Sequence, residues 1–237
     1  MVSEPAVAAL SVRGLGVAFG PVEVCAGIDL DLAKGSVGAL VGSNGAGKST
    51  ILRALAGVVP AAGSIRLFGE EISKLSPRQR VRRGLILAAG GRGTFPSLSV
   101  EESITVGARA AGGRNGAAGA LDEALTLFPL LQRRRRQRTG TLSAGEQHLV
   151  TLARAVVARP RVLLVDELSL GLAAAVAEDV GRLVARCGTV LLVDQSLTRA
   201  VGLADWAWFV ERGAVVFSGP AGDLADRRDL LQPVLLA

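Results

Sequence analysis

Gly42-Ser43-Asn44-Gly45-Ala46-Gly47-Lys48-Ser49-Thr50 follows the apolar run Ser36–Val41 and opens a helical pattern over Ser49–Ala56. The spacing is G-x-x-x-x-G-K-[ST], placed between a strand and a helix as its mechanism requires. Glycines at these offsets let the backbone bend so that successive N–H groups point at one place. The helix start adds its partial positive charge to this anion nest. Lys48 is placed to reach the β- and γ-phosphates of a nucleoside triphosphate, and the Ser49 hydroxyl to ligate Mg²⁺. An ordinary glycine-rich turn would not need the lysine and the hydroxyl at these positions. All nine residues, from Gly42 to Thr50, are therefore candidate contacts for ATP.

A second signal lies far downstream. Val162-Leu163-Leu164-Val165 ends in Asp166-Glu167. A short apolar run of this kind suits a strand buried inside a parallel sheet, which delivers its next residue to the edge where ligands bind. Asp166 is expected to hold Mg²⁺ together with Ser49. Glu167 is then placed to orient or deprotonate an attacking water.

Between and around these motifs the texture alternates. Strands are expected over Leu10–Phe19 and Val22–Leu32, joined by the turn pair Gly20-Pro21, and over Ser64–Phe68, Leu85–Ala88 and Thr189–Val193. Helices are expected over Pro77–Arg83, Ala173–Ala185 and Leu197–Ala204, with a hairpin at Arg212-Gly213. From Phe95 to about residue 160 the pattern turns mostly helical. Val100–Ala110 starts behind Ser99 with Glu102 in the capping-box position, and Ala144–Val157 behind Ser143 with Glu146. Gly112–Gly119 reads as a loop, Leu121–Phe128 as a helix and Asp223–Ala237 as a peripheral helical tail. The expected fold is a single α/β domain over 1–237: a P-loop NTPase core with a mostly parallel sheet, an N-terminal antiparallel β part, and a helical insertion over about 95–160.

Composition narrows the function classes. The chain has 237 residues, 49% of them apolar and 20% charged, so it reads as globular. No run of about 18 apolar residues occurs, so no transmembrane helix is expected. Cys25 and Cys187 lie far apart without metal spacing and read as small apolar residues. The net charge of +6 suits a phosphate-bearing ligand, anionic lipid or nucleic acid. Aromatic residues are only 3% of the chain, with no Tyr, which disfavours a stacking platform for single strands. No nucleic-acid partner is expected. The run Arg133–Arg136 reads as a solvated connection, and the single histidine, His148, as a surface or interface residue.

Leu142-Ser143-Ala144-Gly145-Glu146-Gln147 narrows the class further. It resembles the LSGGQ signature of ABC ATPases and opens a helix that leads to the acidic strand. The resemblance runs along the whole chain and is nearest to the ATPase subunits that energise import of branched-chain amino acids, or of urea and short amides. It is carried also by Phe95-Pro96-Ser97-Leu98-Ser99-Val100-Glu101-Glu102, by the arginine-rich lead into the signature, and by Asp166-Glu167-Leu168-Ser169-Leu170-Gly171-Leu172. The resemblance implies that Ser143 and Gly145 bind the γ-phosphate of ATP held by a second ABC ATPase subunit. Phe19 would stack on adenine, and Gln195 would occupy the switch position near the γ-phosphate. It further implies membrane permease partners and a cytoplasmic location on the inner face of the cell membrane.

Four positions depart from the resembling pattern. Gly90 falls where a Gln or Glu normally touches Mg²⁺ and water, although neighbouring Arg92 matches. Leu168 replaces a proline, Ala144 replaces a glycine, and Gln195 replaces the histidine of most ABC ATPases. Gln195 is usual in the branch this chain resembles; the alternative that Gly90, Ala144 and Leu168 raise is a catalytically weak nucleotide-binding partner within a heterodimer.

Overall fold

The computed structural model describes residues 8–90, 93–110, 117–194, 196–227 and 230. Its first two strands alternate buried and exposed residues, as a sheet with one face on a core requires. They are β1 (Ala8–Phe19) and β2 (Val22–Ala33), antiparallel across the Gly20-Pro21 turn. β3 (Val37–Val41) is different, because all five of its residues are buried. It runs into the glycine-rich loop and then α1 (Lys48–Leu55). β4 (Ala62–Leu67) returns to pair antiparallel with β1, and the short β5 (Glu70–Glu71) pairs with β4. After α2 (Pro77–Arg82) comes β6 (Leu85–Ala88).

A helical stretch follows: α3 (Val100–Ala110), α4 (Ala117–Leu127), α5 (Pro129–Gln132) and, after a 3₁₀ turn, α6 (Ala144–Val157). The chain then re-enters the sheet as β7 (Val162–Val165), crosses through α7 (Ala174–Ala185) to β8 (Thr189–Leu192), and continues into α8 (Leu197–Leu203). It finishes with the antiparallel pair β9 (Trp206–Glu211) and β10 (Ala214–Pro220), then α9 (Ala221–Ala225).

Two sheets result. One is antiparallel in the order β2-β1-β4-β5; the other has the order β10-β9-β3-β8-β7-β6. In the second, β9, β3, β8, β7 and β6 are mutually parallel. The four residues of β7 are fully buried, because layers cover both faces of the sheet. Alternation along β3 feeds both layers. Leu40 joins the apolar cluster shared with α1 and the antiparallel sheet. Ala39 and Val41 join the cluster that includes Ile104, Phe128 and Leu149 of the helical stretch. Trp208 fills the space left by Gly38, where a Cβ would lie 2.7 Å from its ring.

Some boundaries differ from the sequence expectation. α4 starts at Ala117, inside the stretch read as a loop, because alanine is the best helix former and Ala124 and Leu125 bury the face it creates. The rest of the expected loop, 112–116, lies outside the described residues, as does the expected helical tail beyond Leu230. The arginine run is not only a solvated connection. Arg134 pairs with Glu146 at 3.0 Å and Arg135 with Glu101 at 2.7 Å, bracing the starts of α6 and α3.

Candidate functional site

Three neighbouring parallel strands, β3, β8 and β7, end at the same edge of the sheet. The residues just past those ends are the glycine-rich loop, Val193-Asp194 and Asp166-Glu167. Adjacent strands lie about 4.8 Å apart, so β3 and β7 present their ends about 10 Å from each other. That span is bridged by side chains from α1.

The loop itself is set by backbone geometry. Gly47 takes φ +101 as the N-cap of α1, a left-handed conformation that costs glycine nothing. The Gly47 carbonyl accepts the first helical bond from Ile51 at 2.9 Å. A tight turn, Ala46 N–H to Ser43 carbonyl at 3.2 Å, precedes it. Cys25 is fully buried in β2 beneath this bend, the apolar role read from the sequence. A Cβ on Gly47 would lie 2.8 Å from its sulfur.

A cleft of about 440 Å³ opens above the loop. It is lined by Gly42, Ser43, Asn44, Gly45, Gly47, Lys48, Ser49 and Thr50, with Val24, Glu167, Val193 and Asp194 on the facing walls. Lys48 Nζ donates to the Gly42 carbonyl at 2.8 Å and the Ser43 carbonyl at 2.7 Å, which draws its charge back over the loop. Burial pushes the Lys48 pKa down, and the nearby Asp166 and Glu167 carboxylates oppose that shift.

Ser49 Oγ donates to Asp166 Oδ1 at 2.6 Å. Asp166 is almost fully buried, and Arg53, one turn along α1 from Ser49, approaches its other oxygen at 3.6 Å. A hydroxyl and a carboxylate at this separation are the hard oxygen donors that Mg²⁺ takes. Among the described residues there is no cluster of three or more His, Cys, Asp or Glu that could cage a metal. Mg²⁺ bound here would draw its remaining oxygens from phosphate and water, as this ion usually does. The residues therefore fit the group.

Glu167 lies at φ +58, one of few non-glycine residues in the left-handed region. Such a conformation persists only where surrounding structure holds it. Here Leu168 N–H donates to the Val193 carbonyl at 3.1 Å, a bond that proline at this position could not make. Leu170 N–H donates to the Glu167 carbonyl at 3.2 Å. On the opposite side stands Gly90, where an added Cβ would lie 2.8 Å from the Asp166 carbonyl oxygen and 3.1 Å from Glu167 Cβ.

Other predicted residues lie elsewhere. Ser143 caps α6 in a reciprocal capping box with Glu146. Neither Ser143 nor Gly145 lines the cleft. Gly145 packs so tightly on Gly171 that a Cβ there would overlap the Gly171 carbonyl oxygen. Phe19 stands at the end of β1, 51% exposed and outside the cleft lining, where Val24 contributes instead. Ala46 is buried beneath the loop rather than lining it. Gln195 and Arg92 lie outside the described residues.

His148 corrects the sequence reading. It is not a surface residue but 2% exposed, because the segment 168–172 folds over α6, and its Nε2 lies 3.1 Å from the Leu168 carbonyl oxygen. Arg53 and Asp194 also escaped the sequence reading. Asp194 lies two residues past β8 and Asp166 one past β7, and an acid after each apolar run was the available signal. Its Oδ1 accepts from Ser196 N–H at 2.7 Å and pairs with Arg199 at 3.1 Å.

The sequence model of the ABC transporter family matches residues 25–169. The branched-chain amino acid transport ATP-binding protein BraG of Pseudomonas aeruginosa is 36% identical over 212 residues, covering 87% of this chain and 91% of that protein. A probable branched-chain amino acid transport ATP-binding protein, LivF of Archaeoglobus fulgidus, is 31% identical, covering 90% of this chain and 92% of its own length. A hemin import ATP-binding protein, HmuV of Rhodopseudomonas palustris, reaches 38% over 90% of this chain and 85% of its own. Among solved structures, an ATP-binding subunit of an ABC transporter superposes with a TM-score of 0.82 at 23% identity, covering 96% of this chain and 98% of that one. At these identities and coverages the chain belongs to the ABC transporter family, as one of its ATP-binding ATPase subunits.

Proposed function

We propose that the chain binds MgATP in the cleft over Gly42–Thr50 and hydrolyses it to power an importer of branched-chain amino acids, or of urea and short amides. The observation that carries this reading is the 2.6 Å contact between Ser49 and Asp166, beside a cleft lined by Lys48 and Glu167. It joins the loop to the acidic pair across 117 residues of sequence.

In this reading the loop N–H groups and Lys48 hold the phosphates, exchanging the carbonyl contacts of Lys48 for phosphate oxygens. Ser49 and Asp166 hold the metal, which supplies charge stabilisation to the transferred phosphoryl group. Glu167 accepts the proton of the attacking water or orients it. Phe19 stacks on adenine by closing from its exposed position, and Gln195 contacts the γ-phosphate. Ser143 and Gly145, which do not line this chain's cleft, engage ATP held by a second ABC ATPase subunit. Residues 95–160 act as a helical unit that transmits closure to membrane permease subunits, with the chain peripheral on the cytoplasmic face. No helix among the described residues is long and apolar enough to cross a membrane, so docking on a permease supplies the membrane association. The solute class is supported by the relatives named for branched-chain amino acid transport.

Glu167→Gln tests the chemistry. The variant is expected to bind ATP, to form an ATP-dependent dimer and to lose hydrolysis. Wild-type turnover by that variant would overturn the reading. A wild-type chain that binds ATP but turns over far below about 1 s⁻¹, even when assembled with its partners, would favour the catalytically weak alternative raised by Gly90. Uptake of labelled leucine and of labelled urea, with and without the chain, tests the solute.

A further inference from the structure

The chain's one histidine joins two segments that the proposed reaction uses in different places. His148 lies on α6, one turn past Ser143 and Gly145. Its Nε2 meets the carbonyl oxygen of Leu168, the residue after Glu167, at 3.1 Å. The ring is 2% exposed, and Nδ1 has no hydrogen-bond partner. A bare, buried Nδ1 suits the neutral tautomer with its proton on Nε2, so Nε2–H donates to Leu168. Burial pushes the imidazole pKa down and favours that neutral form, although the Leu168 bond and the charges of Asp194 and Asp166 oppose it.

This bond holds the loop to α6. Close packing of Gly171 on Gly145 adds to it, since a Cβ on Gly171 would lie 2.8 Å from the Gly145 nitrogen. Leu168 is in turn fully buried and bound through its N–H to Val193. The left-handed Glu167 therefore sits on a segment whose following residue is gripped from both sides. His148 thus links α6 to the residue beside Glu167.

We propose that His148 is a positioning residue: its Nε2–H, donated to the Leu168 carbonyl, couples the helix start at Ser143–Gly145 to the loop that carries Glu167. The inference rests on the reading of Glu167 and of Ser143–Gly145 given above. Engagement of a partner's phosphate at the helix start then sets the carboxylate in this chain's own cleft. His148 does not line the cleft.

Side-chain geometry gives the test. A glutamine amide nitrogen is as many bonds from Cα as His Nε2, so His148→Gln can restore the donor. An asparagine nitrogen reaches only the Nδ1 position, and leucine offers no donor. Steady-state hydrolysis by the full chain, with KM for MgATP and binding of a fluorescent ATP analogue, is measured for His148→Gln, His148→Asn, His148→Leu and Glu167→Gln. His148→Gln is expected to keep kcat within about threefold of wild type, while Asn and Leu lower it about tenfold or more, with KM and analogue binding within about threefold throughout. Wild-type kcat in His148→Leu overturns the coupling, as does a fall of the Gln variant to the level of Asn and Leu. If the Leu variant is recovered unfolded, the contrast between Gln and Asn carries the test. Loss of hydrolysis in Glu167→Gln beside normal hydrolysis in His148→Leu defeats the coupling alone. Normal hydrolysis in Glu167→Gln defeats the reading beneath it.

Discussion

Substituting Gly90 separates two accounts of this site. By the resembling pattern, Gly90 is a lost Gln or Glu, and Gly90→Gln should repair it. The structure predicts the opposite. A Cβ at this position lies 2.8 Å from the Asp166 carbonyl oxygen, 3.1 Å from Glu167 Cβ and 3.3 Å from Glu167 Oε2. Heavy atoms in ordinary contact sit about 3.5–4 Å apart, so something must move by several tenths of an ångström. The Asp166 carbonyl cannot easily give way. The Asp166 N–H is bonded to Ala88 at 2.9 Å, and Val165 is tied to Val193 at 2.8 Å. The displacement therefore falls on Glu167, whose left-handed backbone already needs support.

Overpacking of this kind costs about 1–3 kcal/mol. If the cost appears as misplacement of Glu167 in the transition state, kcat falls about 5- to 150-fold for Gly90→Ala. KM for ATP stays within about threefold, because the three atoms nearest the added Cβ belong to Asp166 and Glu167 and not to Gly42–Thr50. Gly90→Gln carries the same Cβ and is expected to fall at least as far. The assay is steady-state phosphate release by the purified chain over a range of ATP concentrations, with Glu167→Gln as the baseline. A Gly90→Gln variant faster than wild type, or a Gly90→Ala variant equal to it, would refute this reasoning and restore the lost-residue account.

Two further outcomes follow from the same packing. Gly145→Ala forces a methyl group onto the Gly171 carbonyl and should abolish ATP-driven dimerisation while leaving ATP binding intact; light scattering with and without ATP reads this, and an unaltered dimer contradicts it. Glu71 gives a pH dependence far from the cleft. The Ser64 and Ser73 hydroxyls hold its pKa at about 2, below the ordinary 4.5, so the unfolded chain takes up the proton first as pH falls. The stabilisation is complete above about pH 5 and is lost between about pH 4.5 and about pH 2. Urea midpoints of wild type and Glu71→Gln should therefore converge as pH falls through that window, and parallel profiles would count against it.

What the sequence revealed and what it hid divide along a physical line. The phosphate loop was readable because anion binding demands particular residue types at fixed offsets within one strand–turn–helix unit. The position of Asp166 was readable because a fully apolar four-residue run suits a buried strand, and Asp166 follows that strand directly. Capping at Ser143 was readable because the capping box is local, and the structure has both of its bonds. His148 was not, since its burial depends on the segment 168–172 folding over α6, a contact that no local pattern encodes. Arg53 needed the order β3-β8-β7, which brings Asp166 within reach of α1. The start of α4 was missed because glycine-rich composition was weighed without the apolar face that burial rewards.

The departures from the resembling pattern also look different once placed in space. Read along the chain, two of them, Gly90 and Leu168, are separate irregularities, each of which suggests decay. In the fold they converge on one residue. Gly90 leaves room beside Glu167, and Leu168 uses an N–H that proline lacks to hold Val193. His148 binds the Leu168 carbonyl on the other side. Independent losses would be expected to leave gaps or unpaired backbone groups around the carboxylate. Instead the Leu168 N–H and carbonyl are both bonded, its side chain is fully buried, and the face of Gly90 is filled by Glu167 itself. Neighbours that share contacts in this way are the ones whose substitutions fail to add. That compensation argues for a working site with a different set of supports around the same carboxylate, and against a cassette that only binds.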